Sequence, residues 1–220
     1  MKKVISIILI LLVITGCANN KACNDSDAIK FKKEYESLNG KKNNGTEYVK
    51  VKIDEDNSMK YAKYDDVINL IKNGTGVIYF GFPECPWCRN AVPVLIDAAN
   101  ELGIDKIYYF NALSMRDKKV LENGEVITEK EGTEEYKELV NLLYNDLPLY
   151  DGLNDDTIKR LYFPTVLFVK DGKVIYLHTS TVESQENPLI KLDKKQYKEL
   201  KDIYLKYLNK VFEIVCDDAC

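Results

Sequence analysis

What this sequence lacks narrows its function first. It has no low-complexity tract, and with 45% hydrophobic and 30% charged residues the chain is not globally disordered. It has no excess of basic residues. Lys and Arg number 31 against 35 Asp and Glu, for a formal charge of −4, and that balance argues against nucleic acid, whose backbone rewards clustered cations. It has no apolar run fit to cross a bilayer, since residues 4–14 fall well short of the roughly 20 that a span needs. Histidine occurs once, at His178, on a predicted strand far in sequence from the cysteine motif, and is better read as a satisfied structural group than as a base.

The first sixteen residues carry the features of an export signal: Lys2 and Lys3, the apolar run 4–14, then Thr15 and Gly16 before Cys17. The stretch Ile14-Thr15-Gly16-Cys17 also resembles the lipobox of bacterial lipoproteins. That resemblance implies that Cys17 receives diacylglycerol on its sulfur, becomes the first residue after cleavage, and anchors the chain to the outer face of the cell membrane. An ordinary secretory signal cut nearby would leave Cys17 a thiol instead. Removal of Lys2 and Lys3 takes the charge from −4 to −6.

Length favours one core with additions over two full domains. Residues 17–44 are polar, with a short helical pattern over 29–38, and are expected to be a tether, leaving 45–220 as the folded domain. Residues 46–54 alternate apolar and polar side chains and predict a strand. Residues 61–72 place Tyr64, Val67, Ile68 and Ile71 at helical spacing, stopped by Asn73-Gly74. The continuous apolar run 77–82 predicts a strand buried on both faces, and 107–111 predicts the strand parallel to it. Residues 112–160 are more polar, helical around 134–144, with turn signals at Asn123-Gly124 and Asp151-Gly152, and are expected to be an insertion. Two strands, 165–169 and 174–178, flank an Asp171-Gly172 turn. An apolar stripe from Leu192 to Phe212 predicts a final helix packed on the sheet.

Between strand 77–82 and the helix predicted over 89–102 stands Pro83-Glu84-Cys85-Pro86-Trp87-Cys88. At a helix start the first sulfur of Cys-x-x-Cys lies beside unpaired backbone N–H groups and the positive end of the helix dipole, which favours its thiolate. Cys85 is placed to attack, and Cys88, one turn on, to resolve a mixed disulfide. Pro86 costs no hydrogen bond at a first helical position, and Trp87 covers the pair or meets substrate. Glu84 can raise the Cys85 thiol pKa by repulsion or accept a proton, and the sequence leaves both open.

The strand VIYFGF, the CPWC motif, Pro93 five residues after Cys88, and Phe163-Pro164-Thr165 opening the strand VLFVKDGK together resemble the thioredoxin superfamily across roughly 46–212. The resemblance implies an α/β thioredoxin fold, a central mixed sheet flanked by helices, with a helical insertion before the strand that a cis proline opens. It implies that Pro164 is that cis proline and faces the CxxC pair. Phe163, Pro164 and Thr165, with Pro86 and Trp87, would then meet substrate. It implies thiol-disulfide exchange with protein or peptide substrates outside the membrane, no dissociable cofactor and no metal, and it allows an electron-transfer partner in the membrane. Thioredoxin-like accessory proteins of bacteriocin export share a strand ending in Gly before a CPWC-like motif. One departure stands out: thioredoxins carry a buried Asp six residues before the first cysteine, where this chain has Tyr79.

Cys23, Cys216 and Cys220 remain, an odd number. A Cys216–Cys220 bridge is the first choice, with a bridge from Cys23 to either as the alternative. A zinc shell built from Cys85, Cys88, Cys216 and Cys220 fits poorly with an export signal and with Pro-Trp between the first two cysteines. The alternative from another class is a non-catalytic module that holds an exported peptide, such as a bacteriocin, in the groove between CPWC and Pro164.

Overall fold

The computed structural model describes residues 25–213. The export signal, Cys17, Cys23, Cys216 and Cys220 lie outside the described residues. In chain order the elements are α1 (Asp27–Glu36), β1 (Lys42–Asn43), β2 (Thr46–Glu47), β3 (Met59–Tyr61), α2 (Tyr64–Asn73), β4 (Gly76–Phe80), α3 (Pro86–Glu101) and β5 (Ile107–Phe110). There follow β6 (Lys118–Glu122), β7 (Glu125–Lys130), α4 (Glu134–Leu142), β8 (Thr165–Lys170), β9 (Lys173–Thr179) and α5 (Lys194–Phe212).

The central sheet has five strands in the order β3-β5-β4-β8-β9. β3, β5 and β4 run parallel, whereas β8 is antiparallel to β4 and β9 to β8. All five residues of β4 are buried, as its unbroken apolar run requires of a strand covered on both faces. The β8–β9 hairpin turns on Asp171 and Gly172, both at positive φ, the geometry that Asp-Gly adopts most readily. α3 and α5 pack together against the sheet, and Lys201 of α5 bridges to Asp97 and Glu101 of α3, both at 2.8 Å. The mixed sheet flanked by helices is the α/β fold that the thioredoxin resemblance implies.

The tether expected over 17–44 is corrected where it meets α1. Ser26 caps the helix, and Ala28, Phe31 and Tyr35 form a narrow buried stripe, the last two wholly inaccessible. The Phe31 ring lies 4.6 Å from Tyr35 and 4.8 Å from Tyr109 of β5, so this helix is part of the core.

The strand expected over 46–54 is corrected too. Only Thr46–Glu47 forms a strand, in a small hairpin with Lys42–Asn43. Val49, Val51 and Ile53 are buried as the alternation requires, but their backbone is satisfied by side chains rather than by a neighbouring strand. Asn39 receives from Val51 N–H and donates to Val51 C=O, Glu36 receives from Ile53 N–H, and Lys32 donates to Ile53 C=O at 2.6 Å. The first strand of the sheet is instead the three-residue edge β3.

The insertion also differs from its expected helical character. Around Asn123-Gly124 it forms the antiparallel β6–β7 hairpin, followed by the expected helix as α4. Among the described residues no helix is long and apolar enough to cross a membrane.

Candidate active site

The site lies at one end of the sheet because of register. β4 pairs with β8 so that Phe80 stands opposite Thr165, which brings the loop after Phe80 beside the loop before Thr165. The first holds Cys85 and the second Pro164. The Phe163–Pro164 peptide is cis, and Pro164 C=O receives from Ser180 N–H at 2.8 Å. Phe82 and Phe163 meet edge to face, with ring centres 5.5 Å apart, so the two loops pack on each other directly.

Cys85 is the N-cap of α3 and Pro86 occupies its first turn. The Cys85 sulfur receives from Cys88 N–H at 3.3 Å and faces the Phe163 carbonyl at 3.5 Å. Cys85 is 6% exposed and Cys88 wholly buried, so of the two residues only the first reaches the surface at all. Their thiols are shifted in opposite directions. The hydrogen bond from the Cys88 side chain lowers the Cys85 pKa, helped by the N–H groups of Cys88 and Trp87 and by the Arg116 charge, against the opposing effect of burial. Burial raises the Cys88 pKa well above the free-thiol range, with the hydrogen bond to Cys85 and its charge adding to it. Trp87 and Pro86 are half-buried beside the pair, and Pro164 and Thr165 are buried. Thr165 Oγ1 donates to Tyr162 C=O at 2.9 Å and pairs with Thr179 Oγ1 at 3.1 Å, which occupies its side chain within the sheet.

Behind Cys88, at the position where the resemblance implies an Asp, there is a cluster of tyrosines. Tyr79 is fully buried, its hydroxyl 2.9 Å from that of Tyr35 on α1, and it bears on Cys88, whose pKa its hydroxyl lowers. Its ring stacks on Tyr109, with centres 5.8 Å apart, and Tyr109 donates to Glu34 at 3.2 Å. Gly81 makes this possible: a Cβ there would stand 2.3 Å from the Tyr79 hydroxyl oxygen. Burial holds both Tyr35 and Tyr79 well above the ordinary phenol range, so they act as neutral hydrogen-bonding groups at neutral pH.

Arg89, one residue past Cys88, reads in the sequence only as a helix start. It is 1% exposed and donates to Val49 C=O at 2.6 Å, Tyr35 C=O at 2.9 Å, Pro83 C=O at 3.1 Å and Asn39 Oδ1 at 2.8 Å. One guanidinium thus ties α1, the 49–53 segment and the loop before Cys85 together, with four acceptors in place of a carboxylate. Burial lowers its pKa. Glu84 is exposed, as its place outside the helix start allows. His178 is buried beside Tyr204, and its Nε2 lies 2.9 Å from Thr181 C=O, the satisfied structural role expected of it. Among the described residues no group of three or more His, Cys, Asp or Glu could hold a metal ion.

No protein-family model matches the chain, and no curated protein sequence matches it. Among solved structures the chain is similar to thioredoxin O2 from Arabidopsis thaliana in its oxidised state, at 15% identity and a TM-score of 0.37, over 69% of this chain and 96% of that one. At that distance the description of the fold rests on the sheet order and loop geometry above.

Proposed function

We propose that the chain is a thiol-disulfide oxidoreductase acting on protein or peptide thiols and disulfides through Cys85 and Cys88. The observation that carries this reading is geometric: Cys85 caps α3, its sulfur receives the Cys88 N–H and faces the carbonyl of Phe163 in the cis-proline loop, and Cys88 lies wholly buried one turn on, an asymmetry that the opposed shifts of the two thiols match.

In the reducing direction, the Cys85 thiolate attacks one sulfur of a substrate disulfide. The substrate S–S bond breaks, one half leaves as a thiolate and takes a proton, and a Cys85–substrate disulfide remains. Cys88 then loses its proton and attacks the Cys85 sulfur, which breaks the mixed disulfide, releases the second substrate thiolate and closes a Cys85–Cys88 disulfide. Two electrons pass to the substrate. Run backwards, the same steps oxidise a dithiol client. As the Cys88 thiolate develops, the Tyr79 hydroxyl can donate a hydrogen bond to it; this lowers the cost of ionising a buried sulfur without requiring Tyr79 to accept a proton. A substrate strand beside the cis-proline loop would meet Phe163 and Pro164.

The lipobox residues and the leader before them support a location on the outer face of the cell membrane, with Cys17 as the anchor and a membrane protein as electron partner. The mass of the N-terminal peptide beginning at Cys17 tests the anchor.

Cys85→Ser is expected to reduce exchange by on the order of 10³-fold or more with the cooperative unfolding transition retained. Cys88→Ser is expected to accumulate the Cys85–substrate disulfide. Full client function in a Cys85→Ser, Cys88→Ser double variant would instead favour the binding-module reading and overturn this one.

A further inference from the structure

The insertion is acidic as a whole, yet it gathers its cations at one place. Arg116, Lys118, Lys119, Lys130 and Arg160 line one cavity of about 320 Å³ with a single carboxylate, Asp117, and the rings and side chains of Tyr150 and Leu113. Asp117 pairs with Lys119 at 4.0 Å, and Lys118 is met by Glu129. Among the described residues neither guanidinium has a carboxylate within 4 Å; the charge of Asp117, whose Oδ1 is buried without a hydrogen-bond partner, acts on Arg116. Arg116 and Arg160 repel each other, as the lowered pKa of Arg116 reflects after the larger effect of its burial. The Nε of Arg160 is buried without a hydrogen-bond partner.

The rings that hold these guanidiniums orient them. Arg160 lies 4.1 Å over Tyr150 and 5.4 Å over Tyr162, and Arg116 lies 4.9 Å over Phe163, whose carbonyl faces the Cys85 sulfur. Stacking fixes the guanidinium planes while leaving their N–H edges free for an anion. Two half-buried, mutually repelling cations with an unused buried donor cost folding energy unless a negative group answers them.

We propose that Arg116 and Arg160 form an anion subsite beside Cys85 that takes a carboxylate of the substrate, so that acidic peptide disulfides and thiols are preferred. The inference rests on the thiol-disulfide reading and names the substrate class of that same site.

The test is a series of small disulfides that differ in charge: oxidised glutathione, bis(2-hydroxyethyl) disulfide and cystamine, which are anionic, neutral and cationic. Exchange with the reduced full chain is followed at low salt. Each rate is divided by that of Arg160→Gln with the same disulfide, which cancels the intrinsic reactivity of the reagent. The ratio is expected to be about five- to tenfold for oxidised glutathione, smaller for the neutral disulfide and smallest for cystamine. The ranking should collapse near 1 M salt, where the Debye length is about 3 Å. Arg160→Lys should keep the ranking, and a cooperative thermal transition in each variant guards against a folding defect. Equal ratios for all three disulfides would overturn the subsite while leaving the redox reading intact. No exchange with any of them would overturn both.

Discussion

The two sulfurs face two unlike regions, both supplied by additions to the five-stranded sheet. Behind Cys88 the N-terminal helix α1 delivers Tyr35 against Tyr79, a fully buried pair of hydroxyls hydrogen-bonded to each other. In front of Cys85 the insertion delivers Arg116 and Arg160, half-buried cations at the rim. The sheet and helix start bring the cysteines together, and burial with the hydrogen bond between them makes them different; Tyr79 then eases the buried sulfur and Arg116 adds weakly to the outer one. One region supports a buried thiol that must ionise late; the other favours a thiolate that must be ready early.

The comparison breaks most severely at Arg89, which fastens α1 to the cysteine loop. Arg89→Met should leave the carbonyls of Val49, Tyr35 and Pro83 without their donor and cost about 3 kcal/mol, read as a lower urea midpoint. The tyrosine pair should loosen with it, so Cys88 should become open to alkylation in the native chain. An unchanged midpoint would show that α1 is held in some other way.

A narrower break removes one oxygen. Tyr79→Phe keeps the ring that stacks on Tyr109 but strands the Tyr35 hydroxyl, at about 1–2 kcal/mol. The Cys88 thiolate also loses a donor, so its pKa should rise further and resolution of the mixed disulfide should slow about tenfold. Rapid-quench trapping would show the Cys85–substrate species accumulating, whereas the initial attack should change little. Slowing of both steps alike would assign Tyr79 a purely structural part.

On the other side, Arg116→Gln removes the weakest of the influences that lower the Cys85 pKa. Alkylation of Cys85 near pH 6 should slow about two- to threefold, with no change at alkaline pH where the thiolate is complete. A change of the same size at every pH would point to access rather than charge.

The pH dependence of stability follows with opposite signs for the two sulfurs. The folded pKa of Cys85 is depressed, so its contribution is fully present above the unfolded thiol pKa of about 8.5 and fades as pH falls through the lower folded value. The folded pKa of Cys88 is raised, so its contribution is present below about 8.5 and is lost as pH rises through the folded value. Unfolding midpoints of the reduced chain should therefore decline toward alkaline pH, and Cys88→Ala should flatten that decline.

The parts legible in the sequence are those whose signals are local. The run through β4 into Pro86, the Asp171-Gly172 hairpin and the stripe of α5 each combine a period with a stop or a turn residue. The resemblance supplied the cis peptide at Pro164. The tyrosine pair was hidden because Tyr35 and Tyr79 lie 44 positions apart and α1 buries only three residues among its lysines. Val49, Val51 and Ile53 gave a true burial alternation, but alternation reports which side chains face inward, not what pairs with the backbone. The β6–β7 hairpin carried its own signal in Asn123-Gly124 at positive φ, masked by strands that are largely exposed and rich in charge. Arg89 gave no signal at all, since nothing in a lone Arg at a helix start shows that four acceptors from three segments converge on it.

The most direct test of the central claim is the rate at which each sulfur of the reduced full chain is alkylated as a function of pH, read for Cys85 and Cys88 separately by peptide mass. Cys85 should react with an inflection below the free-thiol value of about 8.5, while Cys88 stays protected across the neutral range. Equal rates for the two, or a Cys88 that reacts first, would contradict the assignment of attacker and resolver on which the proposed exchange depends.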